Sequence, residues 1–371
     1  MDLLKPGHRD VTATETRAFS SGSKFEAGDT LMARITPCLE NGKIARYLPE
    51  NAAEKATGST EFIVLRGKPG VTITDFAYYF VTTPAIHDLS VSLMTGTSGR
   101  QRVDIGALCA AEVTIPDLGT QHSIVTILGS LDDKIAANSL TAEQALELQS
   151  AFWQAGTKNV EPIPLVEVAE PILGGTPPRK DEASWNGGYK WASVADMTAS
   201  PRSHLLNTAE TISDVAAKKK RFSPLPPGSV LMSARGTVGR VVSIIGPTSF
   251  NQSAYGFKAK PGFDAALRLA VMSAVNELRA KSYGSVFSTI TKTQIQEALV
   301  PSVFSDHAQP LHRKLNALED LIVALEKENL VLAKTRDDLL PLLMSEKITV
   351  KEAEQEASAA GADIASEENK A

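Results

Sequence analysis

The sequence predicts an α+β protein with two mixed α/β units and two long helices that pair as a coiled coil. Three observations support this fold class: a motif that occurs twice, short apolar runs broken by Gly, Pro and Ser in each copy, and two stretches of strict heptad spacing. With 371 residues, 43% apolar and 22% charged, the chain can bury more than one hydrophobic core.

The repeated motif lies in the first half of each unit. The letters GDTLMARIT from Gly28 recur as GSVLMSARGT from Gly228, so that Arg34 matches Arg235 after one inserted serine. Such self-similarity indicates two diverged copies of one unit. We expect domains at 1–117 and 158–304, long helices at 118–157 and 305–347, and a disordered acidic tail at 348–371.

Local patterns place strands before helices in each unit. Apolar runs such as FIVLRG and VVSIIG, bounded by Gly, Pro and Ser, are typical of strands and turns. A helical stretch follows, from Asp75 to about Ser92 in the first unit and from Ala265 to about Tyr283 in the second. Each unit then ends in one long helix.

The two long helices carry the clearest signal, because spacings of three and four residues alternate along each of them. In the second helix these positions are Leu311, Leu315, Leu318, Ile322, Leu325, Asn329, Leu332, Arg336, Leu339 and Leu343. In the first they are Ile124, Leu128, Leu131, Ile135, Asn138, Ala142, Ala145, Gln149 and Phe152. The two seams suit each other, and their asparagines would penalise wrong registers. The alternative is that each helix packs only on its own domain.

The net charge of -5 conceals a basic region. Residues 351–371 hold six acidic residues and two lysines, so they contribute -4 and the rest of the chain about -1. Without apolar periodicity, we expect this tail to bury too little surface to fold. Residues 200–260 hold nine Lys or Arg against Glu210 and Asp214. Such an excess of basic residues attracts the phosphates of nucleic acid. A run of charged residues is also typical of a solvated surface without a ligand.

Several function classes find no support in the sequence. There is no signal peptide and no long apolar run, so we expect a cytoplasmic protein without membrane contact. Cys38 and Cys109 are interpreted as packing thiols, and the six histidines lack metal-ligand spacing. No Asn/Asp-Pro-Pro-aromatic tetrapeptide, G-x-G-x-x-G turn or phosphate-binding loop is present. Asp132-Asp133-Lys134 falls in a heptad helix, where we expect exposed charge.

Three segments resemble a known family. The run GSKFEAGDTLMARITPCLENGKIA (Gly22 to Ala45) resembles the first part of a target-recognition domain in type I restriction-modification specificity subunits. Leu165 to Met197 resembles the opening of such a domain, and Thr335 to Ile348 resembles the end of the family's second conserved helix. The resemblance reaches from near the start of the chain to about Val350.

The resemblance implies a non-catalytic subunit with two target-recognition domains separated by an antiparallel coiled coil. Each domain would read one half of a split site in double-stranded DNA. The partners would be methyltransferase and restriction/motor subunits, and S-adenosylmethionine, ATP and Mg would be held by those subunits, with no cofactor or metal in this chain. Ile163 to Met197 has no counterpart in the first unit, so the first domain is expected to be truncated at its amino end.

DNA recognition requires Arg and Lys aimed at phosphates, and Arg, Asn, Gln or Ser aimed at base edges. In the first unit the candidates are Arg34, Lys43, Arg46, Arg100, Gln101 and Arg102. In the second unit they are Lys218, Lys219, Lys220, Arg221, Arg235, Arg240 and Lys292. Arg34 and Arg235 recur in both copies, which favours phosphate or framework contacts, with a structural salt bridge as the alternative.

Two other classes of function are alternatives. A coiled-coil scaffold or assembly protein without a sequence-specific DNA role is the main alternative, since heptads alone permit it; the repeated domain motif argues against it. A single-chain nuclease or methyltransferase is disfavoured by the missing motifs.

Overall fold

The protein forms two compact units in a computed structural model that describes residues 1–16, 21–97, 99–281 and 288–364. Unit 1 consists of Met1–Leu140 together with Glu328–Ala371, and unit 2 is Thr141–Lys327. Both unit boundaries fall inside the long helices.

Unit 1 is built on a mixed sheet with short helices against one face. Its strands are β1 (Asp10–Val11), β2 (Ser23–Glu26), β3 (Thr30–Ala33), β4 (Ile44–Tyr47), β5 (Lys55–Gly58), β6 (Phe62–Leu65), β7 (Met94–Thr95) and β8 (Arg102–Val103). The main sheet has the order β1-β4-β3-β6, and β2-β5 and β7-β8 form separate pairs. Only β1 and β4 pair in parallel among these strands.

The helical stretch expected between Asp75 and Ser92 is two helices, α1 (Thr74–Thr82) and α2 (Pro84–Ser92). Pro84 has no backbone N–H and is tolerated in a first turn, so it begins a new helix and ends the previous one. The Thr83 side chain caps α2 by accepting from the Ile86 N–H. A short α3 (Ile105–Ala110) follows, and then the first long helix, α4 (Leu118–Thr157).

Unit 2 repeats this plan with additional strands at its start. Its strands are β9 (Pro162–Pro164), β10 (Pro171–Leu173), β11 (Trp185–Ala192), β12 (His204–Leu205), β13 (Glu210–Ile212), β14 (Val230–Ser233), β15 (Val241–Ile244), β16 (Thr248–Phe250), β17 (Ala254–Phe257) and β18 (Leu299–Pro301). They form sheets of order β10-β17-β14-β15-β12, β13-β11-β16 and β18-β9. The helices are α5 (Leu165–Val168), α6 (Val194–Ala199), α7 (Asp214–Ala217), α8 (Asp264–Lys281) and α9 (Lys292–Glu297).

The second long helix, α10 (Gln309–Met344), packs against α4 along the expected seam. In unit 1, Asp132 bonds Arg336 and Asn138 bonds Asn329. Residues later in α4 therefore contact residues earlier in α10. Every seam position of both helices is buried or half-buried. The two helices are therefore antiparallel, and the predicted α+β class with a helical coiled coil is confirmed.

The asparagines of the seam meet each other. Asn138 Nδ2 donates to Asn329 Oδ1 at 3.0 Å, and Asn329 Nδ2 donates to Ser139 Oγ at 3.2 Å. A polar pair inside a heptad seam fixes the register, because sliding one helix leaves the amides opposite apolar side chains.

The expectation of a disordered tail is wrong for residues 350–364. A helix, α11 (Val350–Ala359), begins with a capping box between Thr349 and Glu352. Ala353 and Ala357, both fully buried, lie four residues apart on one face and pack in the core that contains the end of α10. Alanine supplies that face without the large apolar residues that periodicity searches detect. Residues 365–371 lie outside the described residues.

The two units share one framework. In unit 1, β1 pairs in parallel with β4, with Asp10 opposite Arg46; in unit 2, β12 pairs in parallel with β15, with His204 opposite Ser243. The central strands β3 and β14 each lie between two antiparallel neighbours. The sequence repeat is therefore a structural repeat, and β9, α5, β10, β11 and α6, which precede β12 in unit 2, have no counterpart among the described residues of unit 1.

Candidate nucleic-acid interface

The predicted residues of unit 1 meet where β3 ends and the β7-β8 hairpin returns. Arg102 Nη2 donates to Glu61 Oε1 at 2.7 Å, and Arg34 Nε lies 3.5 Å from Glu61 Oε2. The hydrogen bond from Arg102 holds the pKa of Glu61 below its ordinary value. Two arginines and one carboxylate thus form a cluster that is partly open to solvent.

The hairpin that carries this cluster is pinned by its backbone. The Thr36 N–H donates to the Gln101 carbonyl at 3.0 Å, and the Gln101 N–H donates to Thr36 Oγ1 at 3.0 Å. Gly96 and Gly99 have φ of 128° and 79°, in the left-handed region that favours glycine. Arg100 is exposed at the tip of this turn. The turn can therefore present a guanidinium group without losing its own shape.

Two other candidates of unit 1 are held by the protein itself. Arg46 donates to Asp10 at 2.7 Å and to Asp75 at 2.9 Å, and its side chain is 13% exposed. Lys43 Nζ lies 3.4 Å from the Met1 carbonyl oxygen. These contacts give Arg46 a structural role, because they join β1, β4 and α1. A contact between Arg46 and DNA stays a prediction.

The strand register makes Ala234 the structural counterpart of Arg34, and Arg235 follows it by one residue. The Arg34 N–H donates to the Glu61 carbonyl at 3.0 Å, whereas the Ala234 N–H at 2.7 Å and the Arg235 N–H at 3.2 Å both donate to the Ser253 carbonyl. Ser253 stands where Glu61 stands, so this position offers Arg235 no carboxylate. Its exposed guanidinium bonds none of the residues that the structure describes.

Arg240 serves the fold of unit 2. Its Nε donates to the Met197 carbonyl at 3.0 Å and its Nη2 to the Ser200 carbonyl at 2.7 Å, with a further contact to the Arg202 carbonyl. Burial lowers the pKa of Arg240. These contacts hold the loop after α6, and a DNA contact by Arg240 stays a prediction.

The remaining basic candidates of unit 2 are exposed. Lys218 to Arg221 follow α7, and only Lys219 has a carboxylate nearby, Asp181 at 3.8 Å, among the side chains described. Lys292 is exposed in the first turn of α9. The structure leaves these cations available for a negatively charged ligand.

Residues that the sequence reasoning missed lie next to these positions. Gln252, two residues from the β16 end, accepts from Thr176 Oγ1 at 2.5 Å and precedes Ser253. The Arg179 guanidinium lies 4.2 Å from the Trp185 ring centre and bonds Glu210. A polar run between two apolar strands is the signal that could have pointed to Gln252.

A returning segment reaches the same place in both units. The Val103 N–H donates to the Arg34 carbonyl at 2.9 Å, and the Ile290 N–H donates to the Ala234 carbonyl at 3.0 Å. The residues just before Val103 carry Arg100, Gln101 and Arg102, whereas Ser288 and Thr289 precede Ile290. A constant framework therefore presents segments of different chemistry in the two units.

Within the described ranges, no helix is long and apolar enough to cross a membrane. Among the same residues, no group of three or more His, Cys, Asp or Glu side chains is placed to hold a metal ion.

Comparisons with known proteins agree with this arrangement. Residues 24–148 and 157–330 match the family described as type I restriction modification DNA specificity domain. The chain is 24% identical to the MjaIX specificity subunit of Methanocaldococcus jannaschii over 171 residues, which are 45% of this chain and 40% of that protein. It is 31% identical to the EcoAI specificity subunit of Escherichia coli over 125 residues, 33% of this chain and 21% of that protein. The matches thus span well under two thirds of these relatives.

A solved structure has a similar fold. The type I restriction-modification S subunit from M. genitalium covers 92% of this chain and 90% of its own, with a TM-score of 0.55 and 14% identity. At that identity the likeness concerns the fold alone.

Proposed function

Since this chain belongs to the type I restriction-modification DNA specificity family, we propose that it binds a bipartite site in duplex DNA, one half with each unit. The observation that carries the proposal is the shared framework at the ends of β3 and β14, where a returning segment bonds the Arg34 carbonyl in unit 1 and the Ala234 carbonyl in unit 2 and differs in sequence between the units. Contacts to the DNA backbone position a protein and contacts to base edges give specificity. A shared framework with unlike segments supports two half-sites of unlike sequence.

The exposed cations are the proposed phosphate contacts. They are Arg100, Lys218, Lys220, Arg221, Arg235 and Lys292. Each contact would release counterions from DNA, and this release makes affinity depend strongly on salt.

Glu61 and Arg102 are the proposed base-reading pair of unit 1, and Arg34 beside Glu61 is proposed as a framework or phosphate contact. Arginine recognises guanine in the major groove, and a carboxylate accepts from the cytosine amino group. The Arg102 hydrogen bond fixes the orientation of the Glu61 carboxylate. Both kinds of readout are therefore available at one spot.

We propose that partner subunits carry out the methylation and cleavage reactions. The chain would direct methyltransferase subunits, which would hold S-adenosylmethionine, and a restriction/motor subunit, which would use ATP and Mg. On this proposal the chain itself is non-catalytic and acts by placing DNA before those subunits.

Mapping of methylated adenines tests the proposal. The full chain and its methyltransferase subunits are incubated with genomic DNA and S-adenosylmethionine, and methylated positions are read by sequencing. We expect one bipartite motif with a spacer of any sequence, and none when either component is omitted. Methylation by the chain alone, or methylation without a bipartite motif, would contradict the proposal. Unchanged sites when the chain is omitted would favour the scaffold alternative.

A further inference from the structure

The turn between β16 and β17 of unit 2 is closed by the same kind of hydrogen bond as the turn before β6 in unit 1. The Ser253 N–H donates to Asn251 Oδ1 at 3.0 Å, and the Glu61 N–H donates to Ser59 Oγ at 3.1 Å. In both turns a short polar side chain accepts from the N–H two residues later, as in Asx and ST turns. The side-chain oxygen of Asn251 is therefore used inside its own turn.

The strand register identifies which residues correspond in the two turns. Ala254, the first residue of β17, pairs with the last residue of β14, and Phe62, the first residue of β6, pairs with the last residue of β3. The residues two positions earlier, Gln252 and Thr60, therefore correspond, and both are exposed at the tip of their turn. The backbone is shared by the two units, and the side chain at the tip differs.

The turn of unit 2 is anchored on both sides of its tip. Before the tip, the Asn251 N–H donates to the Ala192 carbonyl of β11 at 3.0 Å. After the tip, the Ser253 carbonyl accepts from Ala234 at 2.7 Å and from Arg235 at 3.2 Å. The position of the tip residue is thus fixed by β11 and by the end of β14.

Thr176 orients the amide of the tip residue. Thr176 Oγ1 donates to Gln252 Oε1 at 2.5 Å. The preceding Gly174 permits this approach, because a Cβ at that position would collide with the Asn251 carbonyl oxygen. The Gln252 oxygen keeps one lone pair, and its Nε2 donates to none of the residues that the structure describes. The amide can therefore still accept one hydrogen bond and donate two.

Cations lie beside this amide. A Cβ at Gly175 would lie 2.9 Å from Arg221 Cγ, so Arg221 borders the loop that carries Thr176. Arg235 adjoins the turn through its bond to Ser253, and both guanidinium groups are exposed. Contacts from such cations to phosphates fix the register of a protein on duplex DNA, and side chains between them can then reach base edges.

We propose that Gln252 reads an adenine in the half-site of unit 2 and that Thr176 is its positioning residue. This inference rests on the proposed function and names the base chemistry of one half-site. An amide matches adenine in the major groove, because its oxygen accepts from N6 and its nitrogen donates to N7. The Thr176 bond holds the amide before DNA arrives, which lowers the cost of ordering it on binding. Thr60 presents a hydroxyl at this position, so the two half-sites are read by different groups.

Selection from a randomised duplex DNA library tests the proposal. The full chain with its methyltransferase subunits binds the library, and the bound duplexes are sequenced. We expect Gln252→Thr, which installs the tip residue of unit 1, to weaken the preference for one adenine in one half-site by about 5- to 150-fold. The other half-site should stay unchanged. Gln252→Glu should exchange that adenine for cytosine, because a carboxylate accepts from the cytosine amino group.

Matched variants separate base reading from folding. Asn251→Ser copies the turn bond of unit 1 and should leave both half-sites unchanged. Thr176→Val removes the hydroxyl and should weaken the same adenine preference as Gln252→Thr, whereas Thr176→Ser keeps the hydroxyl and should retain that preference. Because Gln252 is exposed, we expect its variants to keep the native melting temperature.

The outcomes distinguish this inference from the proposed function. If the native complex selects no bipartite site, the proposed function fails and the inference falls with it. If the native complex selects a bipartite site and Gln252→Thr selects the same bases with the same preference, only the inference is overturned. An equal loss of affinity for every duplex would identify Gln252 as a contact to the DNA backbone, and this result also overturns the inference.

Discussion

Arg268 of α8 and Glu319 of α10 form a bidentate ion pair inside unit 2. Arg268 Nη2 lies 2.6 Å from Glu319 Oε2, and Nε lies 3.1 Å from Oε1. Gln149 of α4 donates to the same carboxylate at 2.9 Å. Arg268 is 1% exposed, so the two long helices and α8 are joined by a charge pair that water does not screen.

Removing Arg268 should strongly destabilise the protein. Arg268→Met leaves the buried Glu319 without its main counter-charge, and breaking a buried pair in this way costs about 3–5 kcal/mol. Urea unfolding of unit 2 measures the loss. The matched control in unit 2 is Lys281→Met, which breaks an exposed i,i+4 pair with Glu277 and should change the free energy of unfolding very little. Equal effects of the two substitutions would contradict the prediction.

Stability should also depend on the protonation of His204. Its Nδ1 lies 3.1 Å from Glu326 Oε2 and its Nε2 lies 2.9 Å from Glu319 Oε1. Burial lowers the pKa of His204, but the hydrogen bonds and charges of the two carboxylates outweigh burial and raise the pKa above 6.5. Protonated His204 therefore stabilises the fold fully below about pH 6.5, and this contribution is lost as pH rises through the raised pKa.

The His204→Gln substitution tests this dependence. The difference in unfolding free energy between the native protein and the variant should be largest near pH 6 and should shrink toward pH 9. His8→Gln, which removes an exposed histidine away from this pair, serves as the control for the loss of an imidazole. A difference that grows with pH would show that the sign is wrong.

The packed face of α11 should tolerate no charge. Ala357→Glu places a carboxylate among buried apolar side chains, and we expect the unfolding free energy to fall by more than about 2 kcal/mol. Ala359→Glu puts the same residue on the exposed face of the same helix and should change it by about 0.5 kcal/mol or less. Thermal unfolding compares the two variants. Equal melting temperatures would show that α11 is not packed.

Arg235 should contribute to salt-dependent DNA binding. If it contacts one phosphate, Arg235→Ala reduces the slope of log affinity against log salt by about 0.9. Lys334→Ala, an equal loss of charge outside the predicted contacts, should leave that slope unchanged. Arg240→Ala should instead lower the unfolding free energy, since the Met197 and Ser200 carbonyls lose their donor. If the slope of log affinity against log salt in Arg235→Ala equals that of the native protein, Arg235 does not contact a phosphate.

The long helices were predictable because their signal is local and repetitive. The heptad positions from Ile124 to Phe152 all fall in α4 (Leu118–Thr157), and those from Leu311 to Leu343 all fall in α10 (Gln309–Met344). The same reasoning failed for Asp132, which is 5% exposed and bonds Arg336 at 2.7 Å and Tyr79 at 2.8 Å. A charge that is buried by residues distant in sequence leaves no trace in the periodicity.

The candidate site was predictable in its chemistry and less so in its contacts. The repeat matched Arg34 to Arg235 across one inserted serine, whereas the strand register matches Arg34 to Ala234 and puts Arg235 one residue later. Glu61 was missed because its role depends on Arg102, a neighbour in space and not in sequence. Whether a basic residue faces solvent or holds its own fold depends on such distant partners.

The division of the chain into units has a consequence for the order of events during synthesis. Unit 2 is one continuous stretch, Thr141–Lys327, whereas unit 1 needs both ends of the chain. The α4 residues up to Leu140 must therefore wait for Met344 of α10, about 200 residues later, or roughly 10–40 s at about 5–20 residues per second. Throughout that interval Ile124, Leu128 and Leu131 lack the α10 side chains that share their core, Leu332, Leu339 and Leu343, so the nascent chain leaves part of this apolar stripe uncovered.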